Sequence, residues 1–328
     1  MPPKAQITII GLGLIGTSLG LALKRAGGNF DIVGHDREPE VAARARKRGA
    51  VDQTAWNLIA AVENADVILL AIPISAVEAT LEAIAGDLKE GSIILDTCTI
   101  KRPVLEWAER ILPAHVSFIG GNPIPYQPLP AAQGPEGASE TLFDKSLFCL
   151  CPSPRATAEA VQLVADMVSA LGAQPYFLDA EEHDGLIAGV ELLPLAVAGA
   201  LMESAARSPG WREITRLAGE RFASATAMAI SDAGAAASLL IHDADNVTRW
   251  VNTLIQTLYQ MRSALEARDE GALRGMFEDA LTQREKWMKE RVVGPIPEGA
   301  APAQEVPSYW QTLLGARLFR RTGGGKKK

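Results

Sequence analysis

The sequence predicts an α/β protein in two parts: an N-terminal doubly wound parallel sheet followed by an all-helical C-terminal domain. Three observations predict it. From Ala5 to about Asp179, short β-rich apolar runs alternate with Ala/Leu/Glu/Arg-rich stretches, which is the rhythm of βαβ units. Beyond Asp179 no β-rich run follows, and helical Ala/Leu spacing continues to about Leu318. The length of 328 residues exceeds one ordinary compact domain and is enough for two with sizeable cores. The expected bounds are therefore 1–179 for the sheet domain and 180–318 for the helical one, with 319–328 a disordered basic tail ending in RTGGGKKK.

The expected strands, in order, are Ile7 to Ile10, Ile32 to Gly34, Val67 to Ala71, Ser92 to Asp96, Ser117 to Ile119, Leu147 to Cys151 and Pro175 to Leu178. Most are unbroken apolar runs, as parallel strands covered by helices on both faces require. The Pro/Gly-rich stretch Pro123 to Gly137 is expected to be either a long loop near the active site or a disordered one, because such lengths are uncommon in compact domains. No internal repeat is visible.

Composition narrows the function. With 48% hydrophobic, 22% charged and only 5% aromatic residues, the chain reads as a globular protein with an aliphatic interior. A formal net charge of -7 and a pI near 5.3 exclude a nucleic-acid binder, whose partner demands a basic surface. The expected partner is a small molecule. Cys98, Cys149 and Cys151 form no CxxC pattern, so no metal site is expected, and their odd number suits a reducing, cytoplasmic setting. The N-terminus lacks the apolar core and cleavage site of a signal peptide. The most apolar run, Leu186 to Leu201, is interrupted by Glu191 and Pro194 and falls short of the roughly 20 residues of a membrane span, so it is expected to be a buried helix.

The first strand runs directly into Gly11, Gly13 and Gly16 of GLGLIG, with Leu14 and Ile15 between the last two, and then into the helical TSLGLALKRAG. This is the strand, turn and helix of a Rossmann dinucleotide site. Gly11 permits the tight turn, Gly13 lets the backbone approach a pyrophosphate, and Gly16 brings helix against strand, while the helix N-terminus offers unpaired N–H groups to the phosphates. Asp36, twenty residues beyond Gly16, ends the second strand where a carboxylate binds the adenosine ribose, which favours NAD. Arg37 follows directly and could accommodate a 2′-phosphate, so NADP stays open. Ala71, Ile72 and Pro73, at the end of the third expected strand, either wall the cofactor channel or simply pack there.

GLGLIGTSLGLALK, DTCTIK (Asp96 to Lys101), GGNPI (Gly120 to Ile124) and EEHDGLIAGVELLPLAVAGAL from Glu181 occur in this order, and with them the chain resembles the prephenate and arogenate dehydrogenases of tyrosine biosynthesis over Ile7 to about Arg291. A homodimer joined through the helical domain is expected, because its Ala/Leu-rich helices, especially around Leu186 to Leu201 and Val247 to Leu265, present more apolar surface than one small helical domain can bury against itself. The resemblance implies a carboxylate-bearing cyclohexadienol as substrate, oxidised by hydride transfer to the nicotinamide while the ring carboxylate leaves as CO2. In the family a histidine of a Gly-Gly-His-Pro motif polarises the ring hydroxyl and takes its proton. Asn122 stands there in this chain, able to hydrogen-bond but not to act as a base. Loss of a proton acceptor, if nothing replaces it, costs roughly 10²- to 10⁴-fold in rate.

The family's Ser-His-Leu-Pro-His run reads Glu191, Leu192, Leu193, Pro194 and Leu195, so that of the family's histidine cluster only His183 survives. His183 and Glu191 are the expected replacements for the base. The plainer readings are packing at a helix start for His183, and a solvent-facing or ion-paired carboxylate for Glu191. Thr99 keeps the hydroxyl that in the family touches substrate, and Lys101 could hold substrate or cap a turn. Arg216 in EITRLA matches the family arginine that clamps a substrate carboxylate, a task for which a bidentate guanidinium is suited. Its plainer reading is an ion pair with Glu213 or Glu220. The alternatives to a cyclohexadienol dehydrogenase are a catalytically weak dinucleotide-binding dimer that senses or regulates, and a related dehydrogenase or reductase with another small substrate.

Overall fold

The structure, a computed structural model, describes residues 4–130, 132, 134–230 and 232–291. The expected tail 319–328 and the helical continuation toward Leu318 lie outside the described residues. His183 closes a first compact unit and Asp184 opens a second.

The first unit is one eight-stranded sheet. Its strands are β1 (Ala5–Ile10), β2 (Phe30–His35), β3 (Gln53–Thr54), β4 (Val67–Leu70), β5 (Ile93–Asp96), β6 (Ser117–Ile124), β7 (Leu147–Pro152) and β8 (Gln174–Phe177), in spatial order β3-β2-β1-β4-β5-β6-β7-β8. The reversal of direction beside β1 is the switch point at which doubly wound sheets bind ligands. All pairings are parallel except β6 with β7, which run antiparallel with Asn122 opposite Cys149. That pairing differs from the purely parallel expectation, and it carries β6 through GGNPI, five residues further than the run Ser117 to Ile119 suggests. Glycine, asparagine and proline weaken a strand signal, and here the partner strand overrides it. The two-residue β3 has no sequence signal of its own.

Helices cover both faces, so Ile7, Ile9, Ile32, Leu69 and Leu95 are enclosed together with Leu19 and Leu23 of the first helix, Leu14–Ala26. Close packing dictates two of its glycines. A Cβ on Gly16 would lie 1.8 Å from the Gly11 carbonyl oxygen, and one on Gly20 would lie 2.4 Å from that of Ala50.

The second unit is helical among its described residues. Helix Ala180–Ile187 passes into a π turn, Ala188–Leu192, and on through helix Leu193–Ala206. Further helices are Trp211–Leu217, Glu220–Thr226, Ala233–His242, Ala244–Glu266 and Glu270–Glu290. The Trp250 indole lies against Gly189, where a Cβ would come within 2.6 Å of the ring, and donates to the Gly185 carbonyl at 3.1 Å.

The expectation of a buried helix at Leu186 to Leu201 is corrected here. The continuous helical segment Ala180–Ala206 has 27 residues and is long and apolar enough to cross a membrane, yet only 22% of its most apolar window is buried within the chain. Leu186, Val190, Val197 and Leu201 face outward. Pro194 follows directly on the π turn and does not interrupt the helical segment.

Candidate active site

The glycine turn has the form a dinucleotide needs. Gly11 adopts φ +88, a left-handed conformation, and its added Cβ would meet the Ala71 carbonyl at 2.3 Å. Gly13 differs, since a Cβ there would meet nothing within 4 Å, so no protein contact requires a glycine at that position. A backbone kept bare beside open space fits close approach by a ligand. Gly13 is also the N-cap of helix Leu14–Ala26, which has no side-chain cap and no acidic residue in its first turn. Its amide groups are thus left for an anion.

Asp36 joins this turn to the end of β2. Its Oδ2 accepts from the Leu12 amide at 2.8 Å and its Oδ1 from the Glu38 amide at 2.9 Å, which fixes the carboxylate beside the turn while each oxygen retains a second lone pair. Arg37 behaves differently. Its side chain is 88% exposed and, among the described residues, its one ion pair is with Glu38. Leu14 and Gly16 are buried, Ile15, Ala71 and Ile72 half-buried, and Pro73 exposed as the cap of helix Ile74–Ile84. Ala71 supplies the carbonyl against Gly11.

A second cluster lies beyond the carboxyl end of β5, and its base is a buried ion pair that the sequence does not single out. Lys101 and Asp96 have fully buried side chains and pair at 2.5 Å. Lys101 Nζ also donates to the Gly121 carbonyl at 2.6 Å, while Asp96 accepts from the Cys98 amide at 2.7 Å and the Gly121 amide at 3.0 Å. One carboxylate and one ammonium thus tie the DTCTIK turn to β6. The two glycines before Asn122 are the steric counterpart, for a Cβ on Gly120 would lie 3.0 Å from the Lys101 stem and one on Gly121 would lie 2.5 Å from the Asp96 carbonyl. Lys101 is fully buried at the start of helix Arg102–Ile111, where its pairing with Asp96 serves as an anchor. The signal that could have found Asp96 is a carboxylate ending an apolar strand with a lysine five residues later.

On this base sits Asn122, 4% exposed. Its Nδ2 donates to the Thr99 carbonyl at 3.3 Å and lies 3.3 Å from Nε2 of His183, within hydrogen-bond distance. His183 is wholly buried near the start of helix Ala180–Ile187. Thr99 is half-buried, and its hydroxyl has no partner among the described residues. Asn122, Thr99 and His183, which are far apart in sequence, therefore converge.

Glu191 and Arg216 belong to the second unit. Glu191 is half-buried within the π turn. Arg216 is exposed in the last turn of helix Trp211–Leu217, and neither Glu213 nor Glu220 pairs with it, so its guanidinium is uncommitted among the described residues. No group of three or more acidic, histidine or cysteine side chains suited to a metal ion occurs among the described residues.

Residues 19–177 match the family described as prephenate dehydrogenase, nucleotide-binding domain, and residues 179–279 match prephenate dehydrogenase, dimerization domain. The chain belongs to the prephenate dehydrogenase family. With that membership it is an NAD-dependent oxidoreductase, and its helical half is the family's dimerization domain. The prephenate dehydrogenase of Lactococcus lactis subsp. cremoris is 31% identical over 300 residues, covering 90% of this chain and 79% of that protein. The cyclohexadienyl dehydrogenase of Zymomonas mobilis is 28% identical over 287 residues, covering 85% and 94%. Among solved structures, Synechocystis arogenate dehydrogenase superposes with a TM-score of 0.71 at 25% identity, covering 86% of this chain and 99% of that one. The prephenate dehydrogenase of A. aeolicus, solved with hydroxyphenyl propionate and NAD+, shares the fold with a TM-score of 0.78 at 23% identity, covering 86% and 98%.

Proposed function

We propose that this chain, as a cytoplasmic homodimer, oxidises a carboxylate-bearing cyclohexadienol and releases CO2, with Asn122 in place of the family's histidine. The convergence of Asn122, Thr99 and His183 beyond the carboxyl end of β5, on the same sheet edge as the glycine turn, carries this reading. The dinucleotide is held by the Gly11 to Gly16 turn and by Asp36, whose carboxylate beside the turn favours NAD over NADP. Bound NAD+ supplies the hydride acceptor for the carbinol carbon as the ring carboxylate leaves and the ring becomes aromatic.

In that balance the hydroxyl keeps its proton in the neutral phenol product. The protein must therefore supply a hydrogen-bond acceptor that steadies the hydroxyl as positive charge develops on it, and a stoichiometric base is not required. Asn122 can do this through its oxygen, and the Thr99 hydroxyl can orient the same group. Arg216 has the chemistry to hold a substrate carboxylate bidentately. Glu191 lies in a π turn, a feature often found at functional sites. Cytoplasmic residence is supported by three buried cysteines, none of them in a disulfide.

The test is steady-state NAD reduction with prephenate and with arogenate, each at one enzyme concentration, for the natural chain and for Asn122→His. Turnover of either substrate by the natural chain is the expected result, with Asn122→His changing kcat more than KM. No turnover by either form, with NAD binding intact, would remove the cyclohexadienol from the proposal.

A further inference from the structure

The surroundings of Asn122 fix more than its position. A main-chain carbonyl only accepts hydrogen bonds, so the amide atom that faces Thr99 O at 3.3 Å is the amino nitrogen. The same nitrogen lies 3.3 Å from His183 Nε2. Its two N–H bonds serve these two acceptors. It follows that Nε2 carries no proton and that the imidazole is neutral, with its proton on Nδ1. The other tautomer and the imidazolium would each set donor against donor at a site where His183 is 0% and Asn122 4% exposed. The remaining amide atom, Oδ1, takes no hydrogen bond from any described residue and is not among the sealed, unsatisfied atoms of the interior, so it is open to a ligand.

We propose that His183 is a positioning residue: held as the Nδ1-protonated tautomer, it acts with the Thr99 carbonyl to lock the Asn122 amide so that Oδ1, not the amino group, meets the reacting hydroxyl. An asparagine amide reverses its ends by a half-turn of one side-chain bond, and the reversed form would offer a donor where the reaction needs an acceptor. Here reversal would press Oδ1 against the Thr99 carbonyl, an acceptor-to-acceptor contact in a buried site, and against Nε2 as well while the ring is protonated at Nδ1. The fully buried Asp96–Lys101 pair grips both backbone groups of Gly121, immediately before Asn122, so the strand cannot shift to relieve them. The identity of the group that meets Oδ1 rests on the function proposed above, whereas the tautomer does not.

Two measurements on the full chain test this. Selective 15N-histidine labelling reads the tautomer directly, with His183 assigned by the signal that disappears in His183→Gln. A neutral ring protonated at Nδ1 at neutral pH is expected, and an Nε2-protonated or doubly protonated ring would overturn the proposal. The second measurement compares His183→Gln, whose side-chain oxygen can take the place of Nε2, with His183→Leu, which has no acceptor. The expectation is near-natural kcat for the glutamine variant and a loss of about 10- to 100-fold for the leucine variant, with KM for NAD unchanged in both. Equal impairment of the two, or natural kcat in His183→Leu, would also overturn it. Should neither prephenate nor arogenate be turned over by the natural chain, the substrate reading fails while the tautomer signal still decides the role of His183.

Discussion

The two compact units bury their apolar residues to very different extents. In the first, the sheet strands and their covering helices enclose aliphatic side chains from Ile7 through Leu171, many of them without exposed surface. In the second, buried hydrophobics are few, among them Ala188, Leu192, Ala198, Val247 and Ala264, while Leu201, Leu258, Phe277, Leu281 and Trp287 stand in solvent. A sheet covered on both faces completes its own core, whereas a set of long helices with outward apolar residues requires another surface to cover them. The difference assigns rigidity to the cofactor half and association to the helical half.

The comparison breaks if the first unit is not rigid where the site is built, and the Asp96–Lys101 pair is its most sensitive point. Lys101→Met leaves the Asp96 carboxylate buried without its countercharge, which costs about 3 to 5 kcal/mol. Calorimetry should show the thermal midpoint lowered by roughly 10 °C. An unchanged midpoint would mean that the pair does not anchor β6. The contribution of the second unit to chemistry is sharpened by Arg216→Ala. Because Arg216 makes no ion pair among the described residues, its removal should spare stability while raising KM for substrate, by about 2 to 4 kcal/mol in binding if it clamps a carboxylate. A variant with natural KM and kcat would take Arg216 out of the site.

The exposed helical face yields a smaller effect, read by association. Leu281 is 56% exposed, and a leucine covered by a partner contributes roughly 1.5 to 3 kcal/mol. Leu281→Glu should therefore weaken the dimer by about tenfold or more in light scattering, with NAD affinity unchanged. A natural chain that scatters as a 34.9 kDa monomer at micromolar concentration would overturn the dimer itself.

The sheet was legible because buried parallel strands are apolar throughout, and the cofactor turn because Gly11, Gly16 and Asp36 each answer a steric or charge demand within a short span of chain. Asn122 and His183 could be picked out by family position, but their contact could not, since 61 residues separate them and only the fold closes that distance. Asp96 escaped notice because its partners are two backbone amides and a lysine, and backbone partners leave no trace in residue identity. The outward face of Ala180–Ala206 was misread as interior because apolar periodicity reports that a surface is covered, not by which chain.

The smallest expected effect concerns a thiol and confines itself to the first unit, since Cys98, Cys149 and Cys151 all lie there and Asp184 onward contributes no cysteine. Burial pushes the Cys98 thiol well above its usual range, and the neighbouring Asp96 carboxylate pushes it the same way. The folded chain therefore keeps this proton through moderately alkaline pH, while the unfolded thiol loses it above about pH 8.5. Once the unfolded state binds fewer protons than the folded one, stability falls as pH rises. The contribution is complete below about pH 8.5 and declines above it, by at most about 1.4 kcal/mol per pH unit. Other groups titrate in the same range, so the informative quantity is a difference. Cys98→Ala should be less stable than the natural chain at pH 7, and urea midpoints for the two should draw together between pH 8 and 10. Curves that stay parallel across that range would show that Cys98 ionises as readily when folded as when unfolded, and that the turn beneath Asn122 opens to water.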